Sequence, residues 1–135
     1  MSYQTAGALQ EALYDALTGD AVLTGLLAGG VHDAPPPGTP QGTYGVIGVE
    51  DAVDRSDISG PGAEHRVVIS VVSDASGFLT AKSAAARISQ MLPDTQPVLA
   101  SGRVVAIWFH QARARRVEGG TVRRIDLTFR VRVEG

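Results

Sequence analysis

Residues 103–134 read RVVAIWFHQARARRVEGGTVRRIDLTFRVRVE, and the fold is decided there. In the second half Ile125, Leu127, Phe129, Val131 and Val133 alternate with Arg124, Asp126, Thr128, Arg130 and Arg132. That period of two marks a strand with one buried and one wet face. The first half has no such alternation. Val104 to Phe109 is apolar at every position, so neither face is polar and the pattern predicts a strand covered on both sides. Glu118-Gly119-Gly120 supplies the turn between them. Arg113, Arg115 and Arg116 precede the turn and Arg123 and Arg124 follow it, so five fixed positive charges bracket one hairpin tip. Such a tip is expected to face a partner rather than the chain's own core.

The rest of the chain supports an α+β domain. Ala6, Leu9, Leu13, Ala16 and Leu17 recur at helical spacing and predict an amphipathic helix ending at Thr18-Gly19. Asp20 caps a second, short helix through Leu23 and Leu27, stopped by Gly29-Gly30. Residues 31–40, with prolines at 35, 36, 37 and 40, predict an extended surface segment. Tyr44 to Glu50 predicts a strand whose Gly45 and Gly48 suggest a bulge or a close backbone approach. The polar, glycine-rich run Asp51 to Gly62 predicts a loop. His65 to Val72 predicts a strand apolar on both faces. A capping region at Ser73 to Ser76 leads into a helix marked by Phe78, Ala81, Ala85, Ile88 and Leu92 and closed by Pro93. The expected architecture is one domain over residues 1–135: a four-stranded mixed or antiparallel sheet with two to three helices packed on one face.

Composition narrows the chemistry. At 135 residues, with 44% hydrophobic and 19% charged residues, the chain can bury a core of its own. Absence of cysteine removes disulfides, thiolate metal sites and cysteine nucleophiles. Met1 to Thr5 lacks the basic-then-apolar form of a secretory signal, and the apolar runs are far shorter than a membrane span, so a cytoplasmic or particle-associated location is expected. Charge is placed unevenly: residues 1–64 stand at −8 and residues 65–135 at +6. Nucleic acid would exploit that asymmetry, and so would identical subunits meeting acidic side to basic side.

Catalytic and metal motifs are missing. His32, His65 and His110 share no metal-ligand spacing, and no Gly-x-Ser-x-Gly elbow is present, so a hydrolase would need one of these histidines beside an unrecognised nucleophile. Asp51, Asp54 and Asp57 lie three apart, whereas a calcium loop needs alternate positions and a terminal Glu. The glycine runs lack the Lys-Ser/Thr of a phosphate loop. No catalytic residue, cofactor site, metal site, membrane contact or small-molecule substrate is expected, and the chain is read as not an enzyme. Clustered arginine remains the leading functional signal: eight of eleven arginines lie between 103 and 132, against the single Lys82. Arginine makes planar bidentate contacts with carboxylate or phosphate. The strand lacks the aromatic ladder of single-strand nucleic-acid readers, with Trp108 and Phe109 pointing opposite ways, so carboxylates are the favoured partner.

Three pieces together carry a resemblance: the first helix with Leu9, Leu13 and Asp20, the strand Tyr44 to Glu50, and Gly62-Ala63-Glu64-His65-Arg66-Val67-Val68-Ile69-Ser70-Val71-Val72-Ser73 running into Gly77. They resemble the tail-completion, or tail terminator, family of long-tailed phages and phage-like gene transfer agents. The resemblance implies a non-enzymatic virion protein, made in the bacterial cytoplasm, which forms a ring, usually of six. That ring terminates the tail tube and joins tail to head at the head-proximal end of the tail. Implied partners are the chain itself, the tail tube protein and a head-tail connector protein, with DNA passing through the lumen without sequence-specific binding. Interface residues are then expected at Arg113, Arg115, Arg116, Arg123 and Arg124 on one side and Asp51, Asp54 and Asp57 on the other, the Asp51 to Gly62 loop ordering on assembly. An arginine-rich nucleic-acid-binding module, or another head-tail connector subunit, is the alternative.

Overall fold

A computed structural model describes residues 5–33, 42–54, 62–75, 77–95, 97–100 and 102–134. Three helices, α1 (Ala6–Thr18), α2 (Ala21–Leu26) and α3 (Leu79–Asp94), pack on a sheet of five strands. The strands are β1 (Val31–His32), β2 (Thr43–Asp54), β3 (Gly62–Ser73), β4 (Arg103–Val117) and β5 (Val122–Glu134), in the spatial order β1-β2-β3-β5-β4. β1 runs parallel to β2 and every other pair is antiparallel, so the sheet is mixed.

The fold is α+β, with one strand more than the expected four. The addition, β1, falls in the segment read as extended surface: Val31 and His32 pair with Gly45 and Val46, whereas residues 34–40 lie outside the described residues. β2 is also longer than expected and absorbs Asp51 to Asp54 from the predicted loop, whose remainder, residues 55–61, lies outside the described residues.

Local chemistry sets the elements. Asp20 caps α2 by accepting a hydrogen bond from the Leu23 amide at 2.8 Å. Its carboxylate also takes two hydrogen bonds from Arg87 of α3, at 3.1 and 2.6 Å, so one residue both starts a helix and pins it to another. Those bonds, that of Arg87 first and that of the Leu23 amide second, hold the Asp20 carboxyl below its ordinary value. α3 begins after Phe78, which gives no side-chain cap; Ser76 of the expected capping region lies outside the described residues. Pro93 sits in the last turn rather than beyond it. Gly48 has the expected cause, a bulge, whereas Gly45 makes room for a side chain rather than for a backbone. A Cβ on Gly45 would lie 3.3 Å from Leu27, and the register with β3 slips between Ile47 and Glu50, around Gly48. The hairpin turn takes positive φ at Glu118, Gly119 and Gly120.

Core residues come from one face of the sheet. Val67, Ile69 and Val71 of β3 and Ile125, Leu127, Phe129, Val131 and Val133 of β5 meet Leu9, Leu13 and Leu17 of α1 and Ala81, Ala84, Ala85, Ile88 and Leu92 of α3. The alternating half of the hairpin is thus buried as its pattern predicts. β4 is different. It was expected to be covered on both faces, but it is the edge strand: Val105, Trp108 and Phe109 are 45%, 47% and 44% exposed. A run apolar on both faces marks burial, and burial by this chain alone reaches β4 at Ile107 but leaves Val105, Trp108 and Phe109 half exposed.

Candidate interface: an arginine face and an uncovered strand

Register pairing sorts the charged side chains by face. Across β2-β3-β5-β4 the rows Ile47-Ile69-Leu127-Ala112 and Gly45-Val71-Ile125-Ala114 look toward the helices. Side chains alternate across a strand. The intervening positions therefore look the other way and bring together Arg66 of β3, Arg124, Arg130 and Arg132 of β5, and Arg103, Arg113 and Arg115 of β4. Seven of the eleven arginines occupy one sheet face. The acids on the same face are Glu64, Asp126, Glu134 and, opposite Arg66, Asp51; the first three are paired, Glu64 with Arg130 at 2.7 Å, Asp126 with Arg124 at 2.9 Å and Arg115 at 3.3 Å, and Glu134 with Arg103 at 2.9 Å.

The turn-bracketing arginines do not form one cluster. Arg113, Arg115 and Arg124 belong to the open face, whereas Arg116 and Arg123 pair across the strands on the helix side. A second register slip, between Phe109 and Gln111, causes the split on β4. Without it, strict alternation would put Arg113 and Arg115 on the side of Phe109; the bulge re-aims them. Arg123 lies 5.8 Å over the Phe78 ring and donates to the Gly120 carbonyl at 2.8 Å. Arg113 and Arg116 are exposed and make no ion pair among the described residues.

Asp126 is the organising acceptor. Ser70 and Arg124 both donate to its Oδ1 and Arg115 to its Oδ2. Burial pushes its carboxyl up, but the bonds from Ser70 and Arg124 and the charges of Arg124 and Arg115 together outweigh that and hold it below its ordinary value. The counterion is therefore fixed inside the face. Nearby, the guanidinium of Arg130 lies 5.5 Å over Trp108, a half-exposed ring carrying a cation.

The acidic side is less complete. Asp51 is exposed on β2, opposite Arg66 in register. Asp54 ends β2 opposite Ala63, and Asp57 lies outside the described residues. Reading the sequence missed Arg66, Arg103, Arg130 and Arg132 as members of the face. Alternation in β5 points to the last two, but Arg66 needs the strand pairing. It also missed a cavity of about 560 Å³ at the opposite edge of the sheet, between α1 and β1, lined by Gln10, Glu11, Tyr14, Asp15, Val31, His32, Asp33 and Ile47. A smaller apolar groove of about 230 Å³ lies between α3 and β4, with Phe109, Ala112 and Ala114 on its strand side.

The histidines are placed apart. His65 is fully buried with Nδ1 2.7 Å from Glu50, His32 shares a 2.8 Å hydrogen bond with the Gly29 carbonyl, and His110 sits at the β4 bulge. Among the described residues no group of three or more His, Asp or Glu is placed to hold a metal ion. No helix among the described residues is long and apolar enough to cross a membrane.

A family model described as "Tail completion protein gp17" matches residues 11–134. A chain from the solved "Virion of native gene transfer agent (GTA) particle" is 55% identical to this one with a TM-score of 0.92, covering 99% of this chain and 100% of its own. No curated protein matches.

Proposed function

The chain belongs to the tail completion protein gp17 family, and from that premise we propose that it closes the tail of a phage-like particle as one subunit of a ring and joins the tail to the head. In this reading the protein is a structural, non-enzymatic component that works through surfaces. The single observation that supports it is β4, a fifteen-residue edge strand with half-exposed Val105, Trp108 and Phe109. Long apolar edges are aggregation sites unless something covers them. A neighbouring subunit would cover this one and bury the apolar side chains at the same time.

Ring closure needs a heterologous contact, in which two different patches of the same chain meet. A basic edge strand and an acidic N-terminal half suit that demand, and complementary charge also fixes register. The six-fold number, the tail tube protein and the head-tail connector protein as partners, and a lumen through which DNA passes without base reading belong to the same proposal.

The test is a particle preparation made without this chain and examined by electron microscopy. Unjoined heads and tails, restored to whole particles by supplying the chain, are the expected result. Normal, joined particles in its absence would reject the reading.

A second reading rests on the seven-arginine face, which could lie against a nucleic-acid backbone. Arg113, exposed and without an ion pair among the described residues, is the member of that face best placed to meet a phosphate. Binding of the free chain to duplex DNA, falling with salt by about one logarithmic unit per phosphate contact, would favour it.

A further inference from the structure

The sheet has two free edges, and four unbroken rows of register partners connect them. β4 pairs with β5 without a slip over residues 106–109, because its two irregularities fall just outside, at Val104/Ala106 and Phe109/Gln111. β2 runs regularly against β3 from Glu50 onward, beyond its own slip. The rows cross the whole sheet: Phe109 is level with Glu50, Trp108 with Asp51 by way of Arg130 and Arg66, Ile107 with Ala52, and Ala106 with Val53. β1 does not cover this part of β2, since it pairs only with Gly45 and Val46. Among the described residues, β2 over residues 50–53 is therefore an edge, as β4 is. Exposure agrees, for Asp51, Ala52 and Val53 are all exposed, Val53 to 47%.

We infer that β4 of one subunit pairs with β2 of the next, residues 106–109 and the partner subunit's residues 50–53 forming one antiparallel ladder that joins neighbouring sheets edge to edge. The inference rests on the ring reading and names the two patches that meet. Four observations choose a second copy as the occupant. Strand direction fits: β2 and β5 run one way and β3 and β4 the other, so the next β2 arrives antiparallel to β4 and continues the sheet's own alternation. Facing also fits, because rows carried across the junction keep Trp108 and Ala106 with Asp51 and Val53 on the open face, and Phe109 and Ile107 with Glu50 and Ala52 on the helix side. The regular run on β4, closed off by bulges, is four residues long, and the uncovered regular run on β2 occupies the same four rows. Finally, charge and polarity match. Val53 of the partner subunit covers Ala106 and the half-exposed Trp108 ring, and Asp51 of the partner subunit comes beside that ring, over which the Arg130 guanidinium lies at 5.5 Å.

Backbone and side chains act together here. A strand with one partner turns every second residue's N–H and C=O outward, and this junction pairs the outward groups of both edges at once. Each subunit offers β4 on one side and β2 on the other, so the contact is heterologous and repeats around a closed ring.

The test supplies full-length chain to particles that lack it and measures the copy number per tail alongside the linkage. Native cysteine is absent, so Val53→Cys with Ala106→Cys gives one reactive pair per junction. Within one chain these two positions stand three strand spacings apart, about 14 Å, beyond a disulfide, whereas paired residues of adjacent antiparallel strands have Cα atoms about 4.5–5.5 Å apart, within its reach. Oxidation of assembled particles should give a ladder of disulfide-linked subunits, and Val53→Cys with Arg115→Cys, at the turn end of β4, should give none. As a second readout, Val53→Arg sets a further positive charge against Arg130 and Arg132 and should cut joined particles by roughly tenfold or more, with near-ultraviolet circular dichroism showing the free chain still folded. Several copies per tail without the 53–106 ladder, a ladder from the 53–115 pair in its place, or full joining by Val53→Arg would overturn the strand junction and leave the ring standing. A single copy per tail would overturn both.

Discussion

β4 and β5 are the two strands of one hairpin, and they spend their apolar side chains in opposite ways. β5 lies between two partners and buries Phe129, Val131 and Val133 completely against the helices. β4 has a partner on one side, and its Val105, Trp108 and Phe109 remain about half exposed. Burying a large apolar side chain stabilises the fold by about 1.5–3 kcal/mol, so β5 contributes strongly to the isolated chain and β4 only in part. The difference teaches that one hairpin can divide its work between its strands: one strand holds the core and its neighbour keeps an apolar surface outside it.

Substitutions can break that division or sharpen it. Phe129→Ala should cost the most, about 3–5 kcal/mol in denaturant unfolding, since it opens a cavity under a fully buried ring. A loss below about 1 kcal/mol would mean that β5 does not anchor the core. Asp126→Asn should cost less, about 1–2 kcal/mol, because it weakens the acceptor for Ser70, Arg124 and Arg115.

Acid unfolding sharpens the same point. Asp126 and Asp20 have folded values below the ordinary 3.8, so each contributes stability that is present above about pH 4 and lost as pH falls through its folded value. Wild type should lose stability steeply below pH 4, and Asp126→Asn should show a shallower decline. Identical slopes would remove Asp126 from the account.

On β4 the expected order reverses. Trp108→Ala should change the stability of the free chain by less than about 1 kcal/mol, chiefly through the lost contact with Arg130. Arg113→Glu with Arg116→Glu should stay within about 0.5 kcal/mol per site. Both should nonetheless reduce the yield of joined particles, which separates a surface from a core by measurement.

Much of this was legible in residues. The helix stripe of Leu9, Leu13 and Leu17, the Asp20 cap, the bulge at Gly48, and the turn at Glu118 to Gly120 all follow from local rules. What was not legible depends on distance along the chain. The Asp20-Arg87 pair joins residues far apart, and the grouping of Arg66 with Arg130 exists only once β3 and β5 are in register. The split of the turn arginines follows from one extra residue at His110, which no periodicity announces. β4 was misread for a more general reason. A strand apolar on both faces declares that it will be covered, and says nothing about whose atoms do the covering.

Hydrogen exchange of the hairpin, measured on the free chain and on assembled particles, tests the central claim most directly. The account predicts that the β4 amides not bonded to β5 exchange readily in the free chain and become more protected in the particle, where a neighbour covers the strand, while β5 amides are protected in both. Equal exchange of β4 before and after assembly would contradict it.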